Sequence, residues 1–177
     1  MNLFFLENLK KIIKTKKYIL SSLIITVILS GCYSFKGSSV PDYLKTISIP
    51  TVVDATTFGV PEFKDYMTNE LISTFQKDGT FKINQNQGDA ILNVQISDIR
   101  EEIQALTQAE LEKQRKITVI CQVEYYDNVN KKLIWQKSFS NYNFYDLAGG
   151  MLARNETIKN ILKNNANDIL LSVISGW

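Results

Sequence analysis

Few side chains in this sequence are suited to catalysis. The chain has no histidine and two cysteines, which excludes Ser-His-Asp and Cys-His catalysis and removes the commonest metal ligand. Cys121 lies in the apolar run Val119–Val123, where we expect it to pack as a small hydrophobic side chain. Glu101 and Glu102 would point to opposite sides of a strand, and a solvated loop is the expected position of this pair. The sequence predicts a protein that is not an enzyme and holds no metal or cofactor.

Cys32 is the residue best placed for covalent modification, because it follows a segment typical of a secretory signal peptide. Five lysines precede the mostly apolar run Tyr18–Leu29, and the small residues Ser30 and Gly31 come directly before Cys32. As a helix this run spans about 18 Å, well short of the ~30 Å hydrocarbon core of a bilayer. The tetrapeptide Leu-Ser-Gly-Cys resembles the bacterial lipobox, in which the cysteine thiol is acylated and becomes residue one of the mature chain.

Acylation of Cys32 would place N-acyl and S-diacylglycerol groups there and anchor the chain to a membrane without a transmembrane segment. More than one acyl chain is needed, because each buried methylene adds only ~0.8 kcal/mol. An uncleaved membrane anchor with an incidental cysteine is the alternative. We therefore expect a lipoprotein signal peptide over residues 1–31, a lipidated tether over residues 32–43 and one folded domain over residues 44–177.

Positive charge outside the signal peptide is limited to small clusters. The chain has 20 basic and 18 acidic residues, but the first 31 residues hold five lysines and one acid, so the remainder has 15 basic and 17 acidic residues. This balance argues against nucleic-acid binding. Lys113, Arg115 and Lys116 could converge on the phosphates of an anionic glycolipid, and Lys131 and Lys132 at the neighbouring turn could extend the cluster. A solvated strand edge is the alternative.

Alternating apolar residues predict four strands that position these side chains. The first is Leu44–Val53, in which Pro50 indicates an edge strand or a bulge, and Thr80–Asn84 could begin a further short strand. The segment Arg100–Lys116 is either a hairpin that overhangs the sheet or a mobile loop, and we favour the hairpin. The other three strands are Asp89–Ile99, Ile117–Tyr126 and Leu133–Tyr145.

Two amphipathic helices complete the predicted fold. The first is Pro61–Lys77, in which apolar residues recur every four positions and Gly79 follows the end. The second is Met151–Ile174, whose isoleucines point inward and whose asparagines, including Asn165, lie mostly outward. One apolar stripe on each helix predicts a two-layer α+β sandwich, with a four-stranded, mostly antiparallel sheet and both helices on one face, in the order β-α-β-β-β-α.

Aromatic residues on the predicted strands exceed what one face of a small sheet needs. Some of them could lie on the face away from the helices and bind a partner, and packing in the core and at the sheet edge is the alternative. These residues are Tyr125, Tyr126, Phe139, Tyr142, Phe144 and Tyr145.

A series of short motifs resembles the lipopolysaccharide-assembly lipoprotein family LptE. The motifs occur in the family's order over almost the whole mature chain, although the tract Thr51–Asp54 departs from the aromatic and Asn that many relatives have there. They are Gly31–Phe35, Lys45–Pro50, Gly88–Ala90, Leu133–Gln136, Asp168–Ile169 and Ser175–Trp177.

The resemblance implies an outer-membrane lipoprotein that faces the periplasm and lies inside a large β-barrel, LptD. Such a protein plugs the barrel, helps to assemble it and binds lipopolysaccharide during delivery to the cell surface. The family's basic residues on strands and turns would correspond here to Lys113, Arg115 and Lys116. A lipoprotein accessory or pilot subunit of another envelope secretion or transport machine is the alternative, and the identity of the co-purifying partner separates the two.

Overall fold

The computed structural model describes residues 40–57, 60–103 and 114–175. The chain divides into two units, residues 1–37 and residues 38–177, and every described residue lies in the second. The predicted α+β fold with two helices is confirmed, and the described residues form six strands instead of four. The elements are β1 (Thr46–Ser48), β2 (Val53–Asp54), α1 (Glu62–Asp78), β3 (Lys82–Ile83), β4 (Ala90–Ile103), β5 (Gln114–Asp127), β6 (Lys132–Asp146), a 3-10 turn (Leu147–Gly149) and α2 (Gly150–Ser175).

The six strands form one mixed sheet in the order β3-β1-β4-β5-β6, with β2 also paired to β4. The short strands β1, β2 and β3 pair in parallel, whereas β4, β5 and β6 form an antiparallel meander. The expectation of a short strand in Thr80–Asn84 is confirmed by β3. β2 has only two residues, which is too few for an alternating pattern to separate it from β1 in the sequence.

The predicted first strand is interrupted at Pro50. Residues 49–52 separate β1 from β2, as expected where a residue without an N–H cannot donate to a sheet ladder. The alternative of an edge position is wrong, because β1 lies between β3 and β4. The interruption therefore leaves β1 inside the sheet and lets the chain cross above Thr68, whose hydroxyl accepts a hydrogen bond from the Val52 N–H at 3.0 Å.

The ambiguous segment after Ile99 continues the β4–β5 hairpin. Its pairing extends to Ile103 opposite Arg115, with one irregularity in register between Ile96 and Asp98. Glu101 and Glu102 are thus strand residues, and their expected position in a solvated loop is wrong. Residues 104–113, which include Lys113, lie outside the described part of the chain.

The core lies between the helices and one face of β4 and β5. Alternate residues of both strands are buried against the apolar stripe of each helix, as the sequence pattern predicts. Helix α1 follows Pro61 and ends at Gly79, whose φ of 75° is a conformation that glycine adopts without strain. The largest fully buried side chains are Phe63, Phe75, Ile47, Met67, Leu71, Leu92, Ile96, Ile117, Ile158, Ile161, Leu162 and Ile169.

Asn165 of α2 is fully buried, which corrects the prediction that this asparagine faces outward. Its amide nitrogen donates to the carbonyl oxygen of Val119 at 3.4 Å, and its Oδ1 accepts from Asn141 Nδ2 at 2.9 Å. A buried amide is tolerated when its donors and acceptor are satisfied. Asn165 therefore fixes α2 against both β5 and β6.

Gly88 allows the close approach of β1 to β4. A Cβ atom there would lie 2.4 Å from the backbone nitrogen of Ser48 and 2.6 Å from the carbonyl oxygen of Ala90. We expect Gly88→Ala to lower the free energy of unfolding by about 1–3 kcal/mol, because backbone atoms must move to remove the clash. Urea denaturation measures this change. The neighbouring Gln87→Ala is the control, and equal denaturation midpoints for the two variants would contradict the packing argument.

Candidate functional site

The basic residues at the start of β5, which the sequence predicts to act together, do not lie on one side of the sheet. Arg115 and Lys116 are consecutive strand residues and point to opposite faces of the sheet. Arg115 faces the helices, whereas Lys116 lies on the sheet face away from them, here called the open face. Their side chains therefore do not converge on one phosphate group from the same side.

Lys131 and Lys132 lie far from this pair. The strand ladder pairs Arg115 with Tyr145 at one end and Asp127 with Lys132 at the other. The intervening residues of β5 span about 40 Å at ~3.3 Å per residue. The expectation that the two turn lysines extend the cluster is therefore wrong. They lie at the β5–β6 turn, which follows the end of β5, whereas Arg115 and Lys116 lie at its start.

The two turn lysines have local surroundings of their own. Lys131 adopts a positive φ of 54° in the β5–β6 turn and donates to Asn128 Oδ1 at 2.8 Å. Lys132 lines a cavity of about 390 Å³ together with Tyr43, Tyr125 and Trp135. The Tyr125 hydroxyl is buried and has no hydrogen-bond partner among the described residues.

Arg115 belongs to a partly buried polar network centred on Glu101. The Glu101 carboxylate accepts hydrogen bonds from the Tyr145 hydroxyl and from Arg154 Nε, the latter at 3.0 Å, and lies 3.8 Å from Arg115 Nε. The network joins β4, β5 and β6 to the first turns of α2. It closes the end of the core where buried apolar residues stop.

The same contacts set the pKa of the Glu101 carboxyl group. Burial alone would raise this pKa, but the hydrogen bonds from Tyr145 and Arg154 and the charges of Arg154 and Arg115 outweigh burial. The net pKa lies below its ordinary value, so Glu101 is ionised at neutral pH. Its charge stabilises the fold and is already neutralised by nearby arginines, which makes it a poor general acid.

The open face carries an aromatic and cationic cluster beside this network. Lys116 Nζ lies 4.5 Å from the centroid of the Tyr142 ring, and Tyr142 meets Phe144 edge-to-face with centroids 5.7 Å apart. Tyr142 is 57% exposed and Phe144 is 40% exposed. Of the aromatics noted in the sequence, Tyr125, Phe139 and Tyr145 face the helices and Tyr126, Tyr142 and Phe144 lie on the open face.

Further apolar side chains are exposed at the same end of the molecule, outside the open face. Met151 and Leu152, in the first turn of α2, are 71% and 82% exposed. Exposed apolar groups of this kind mark surfaces that bind apolar or amphipathic partners. We call this region the tip surface, and its members are Ile103, Lys116, Tyr142, Phe144, Leu147, Met151 and Leu152.

The described residues offer little for bond-making chemistry. Burial raises the pKa of the Cys121 thiol to about 12, and the hydrogen bond from Asn165 only partly offsets this effect. The thiol is therefore protonated at neutral pH and is not a nucleophile. The described residues contain no group of three acidic, histidine or cysteine side chains that could hold a metal ion. None of the helices in the described ranges is both long and apolar enough to cross a membrane.

We expect Glu101→Gln to lower the free energy of unfolding by about 1–3 kcal/mol at neutral pH, because Arg154 loses its charged acceptor. Because the pKa of Glu101 is lower in the folded state, its carboxylate stabilises the fold at pH values above its ordinary pKa of 4.5. This stabilisation is lost as the pH falls through the folded-state pKa. The difference between native protein and variant in denaturation experiments should therefore be largest near pH 7 and shrink below pH 4.5. Glu102→Gln, on the opposite face, is the control, and a pH-independent difference for Glu101→Gln would contradict the assignment.

Solved structures share this fold at low sequence identity. Protein XCC0632 from Xanthomonas campestris matches with a TM-score of 0.55 and 9% identity over 75% of this chain and 85% of its own. Protein CT253 from Chlamydia trachomatis matches with a TM-score of 0.55 and 11% identity over 73% and 95%. A minor lipoprotein from Acinetobacter baumannii matches with a TM-score of 0.51 and 9% identity over 74% and 93%. At these identities the likeness establishes the fold alone.

The sequence itself matches one family model. No curated protein gives a significant match, but the model described as "LptE: Lipopolysaccharide-assembly" matches residues 44–173. This range includes all strands of the described residues and nearly all of α2, and it covers well over half of the chain. The chain belongs to the lipopolysaccharide-assembly family LptE.

Proposed function

We propose that this protein is an outer-membrane lipoprotein that plugs an LptD-type β-barrel, helps to assemble it and mediates lipopolysaccharide transport to the cell surface. The observation that carries the proposal is the family match over residues 44–173. The role is non-covalent, since the protein would act by occupying the barrel and contacting its cargo. Three features of the chain support it: the expected anchor, the difference between the two ends of the folded domain, and the chemistry of the tip surface.

The expected anchor is Cys32, which would carry N-acyl and S-diacylglycerol groups. Residues 32–43 would form the tether, and at full extension 12 residues reach about 40 Å. The Tyr43 hydroxyl donates to Asp127 Oδ2 at 2.7 Å, so the chain joins the folded domain near the β5–β6 turn. The tether therefore allows the domain to leave the membrane surface and to face the periplasm while remaining bound to the outer membrane.

The fold has two ends with different features. Tyr43 joins the domain at the Asp127 end of β5, whereas the tip surface lies at the Gln114 end. About 40 Å of strand separates them. An anchor at one end and a binding surface at the other suit a module that projects from a membrane into a partner.

The tip surface has the chemistry that lipopolysaccharide requires. Lys116 offers a cation for a lipid A or core phosphate, and the Tyr142 ring holds that cation on the open face. Phe144 on the same face offers apolar surface for acyl chains, and Met151 and Leu152 expose further apolar surface at the same end of the molecule, on the helix side of the sheet. We assign lipopolysaccharide contact to Lys116, with Lys113 of the adjoining segment as a further member. Arg115 is left out because it faces the helices and contacts Glu101, and Lys131 and Lys132 are left out because they lie at the other end of β5.

The partner is tested by affinity purification of the full chain from detergent-solubilised envelopes. We expect one large β-barrel protein in equal amount, together with bound lipopolysaccharide. Loss of the lipid anchor in a Cys32→Ala variant should reduce recovery of the barrel, because the local concentration at the membrane falls. Recovery of a different secretion or transport machine would favour the accessory or pilot role, and recovery of the chain alone would contradict both.

The lipopolysaccharide site is tested by charge reversal at the tip. We expect Lys116→Glu to weaken lipopolysaccharide binding by roughly ten- to a hundredfold, the range for losing a charge-assisted hydrogen bond. Lys131→Glu, at the other end of the sheet, is the matched control with the same charge change. Binding is measured by titration of the purified full chain with labelled lipopolysaccharide. Equal affinities for the two variants would remove Lys116 from the site.

A further inference from the structure

The outer edge of β6 is a long strand edge without a strand partner in the described part of the chain. β6 has 15 residues and is the last strand of the sheet. It pairs with β5 on its inner side only. Along the outer side, alternate residues therefore present backbone N–H and C=O groups that can pair with another strand.

β6 lacks most of the features that block such pairing. The strand contains no proline, and its one irregularity lies near its start, between the partners of Tyr125 and Tyr126. From Trp135 onward the pairing with β5 is regular, so the outer side is regular as well. Lys137 lies over the Trp135 ring and donates to Ser172 Oγ at 2.9 Å. Its charge is thus directed to α2 and does not protect the strand edge.

A second copy of β6 fits this edge in an antiparallel arrangement. When β6 of one copy pairs along its full length, Lys132–Asp146, with β6 of the second copy, the two-fold axis lies at Phe139. Ser138 is then opposite Ser140 of the second copy. Because of the bulge, the exposed Leu133 would lie opposite Phe144 of the second copy, and both side chains are on the open face. Apolar neighbours across the pair stabilise a sheet.

The helix layer is compatible with the same arrangement. Helix α2 contacts the last two strands of the sheet. Asn165 bonds to β5, and Asp168 accepts from Asn141 Nδ2 of β6 at 2.6 Å. In a continuous sheet the two α2 helices would be two strand spacings apart, about 10 Å, which is a normal helix-packing distance. Leu171, 57% exposed and less than one turn from Asp168, lies on this flank and would be covered.

We propose that two copies of this chain associate through their β6 edges, forming one continuous sheet with α2 beside α2 and Phe139 on the two-fold axis. The association does not depend on the β-barrel or on lipopolysaccharide. It covers a strand edge that would otherwise promote aggregation when no other partner is bound.

The register is tested by disulfide cross-linking of the full chain in detergent. In the Ser138→Cys/Ser140→Cys variant, opposite Cα atoms would lie about 4.5–5.5 Å apart, within the range for a disulfide. We expect oxidation to give a covalent dimer, with mass spectrometry locating the bond between residues 138 and 140. Gln122→Cys/Glu124→Cys on β5 is the control, because β5 is at least one further strand spacing from the second copy. Dimers absent in the first variant, or equal in both, would overturn the register.

The association itself is tested with two charge variants at the same exposed positions. Ser138→Lys/Ser140→Lys sets like charges opposite each other across the two-fold axis, whereas Ser138→Lys/Ser140→Glu sets opposite charges there. We expect the dimer dissociation constant, measured by light scattering or sedimentation, to rise at least about tenfold in the first variant and not in the second. A monomeric native chain, or the same dissociation constant for both variants, would contradict the proposal.

Discussion

The structure depends on burial of one face of a long antiparallel hairpin under two helices. β4 and β5 have 14 residues each, or about 46 Å of strand, whereas the 17 residues of α1 span about 26 Å. Period-two alternation places the inward apolar side chains of the central strands against the helices as far as Ile99 and Ile117. Buried apolar packing ends at Ile99 and Ile117, and the strands continue beyond these residues. The Glu101 network closes the core at this point.

This excess of strand length gives the molecule its two distinct ends. At one end the incoming chain is held by the Tyr43 hydroxyl, which donates to Asp127. The other oxygen of this carboxylate accepts from the backbone of the β5–β6 turn. At the other end the sheet reaches beyond its apolar core and exposes rings, cations and apolar side chains. A module of this shape can be fixed at one end and can bind at the other, which is what the proposed role in a membrane translocon requires.

Long elements of this fold could be predicted from the sequence, because a period of two or about four residues is unambiguous over ten positions or more. The strands β4 to β6 and both helices follow from such patterns, and β3 lies within Thr80–Asn84, where a short strand is expected. The parallel pairing of the short strands could not be predicted, since β1 carries no sign that its neighbours are parallel. The sequence predicts Asn165 on the outward side of α2, and only the contacts with Val119 and Asn141 show why it is buried.

The candidate site illustrates the same limit. The basic residues could be found by composition, but their grouping required the strand register. Strand alternation separates Arg115 from Lys116, and the length of β5 separates both from Lys131 and Lys132. From the sequence alone a solvated loop is the expected position of Glu101, because a carboxylate is buried only where a cleft and a partner stabilise it. Its role appears only when Arg154, 53 residues later, is placed beside it.

The central claim is that the tip surface contacts the translocon and its cargo. Photo-cross-linking in living cells tests it most directly, with a photoreactive amino acid at Tyr142 on the tip and, as the control, at Val129 in the β5–β6 turn, which is 53% exposed. The account predicts that position 142 cross-links to an outer-membrane β-barrel and to lipopolysaccharide, and that position 129 does not cross-link to lipopolysaccharide. Cross-links to lipopolysaccharide from position 129 and not from position 142, or none to a β-barrel from either, would contradict it.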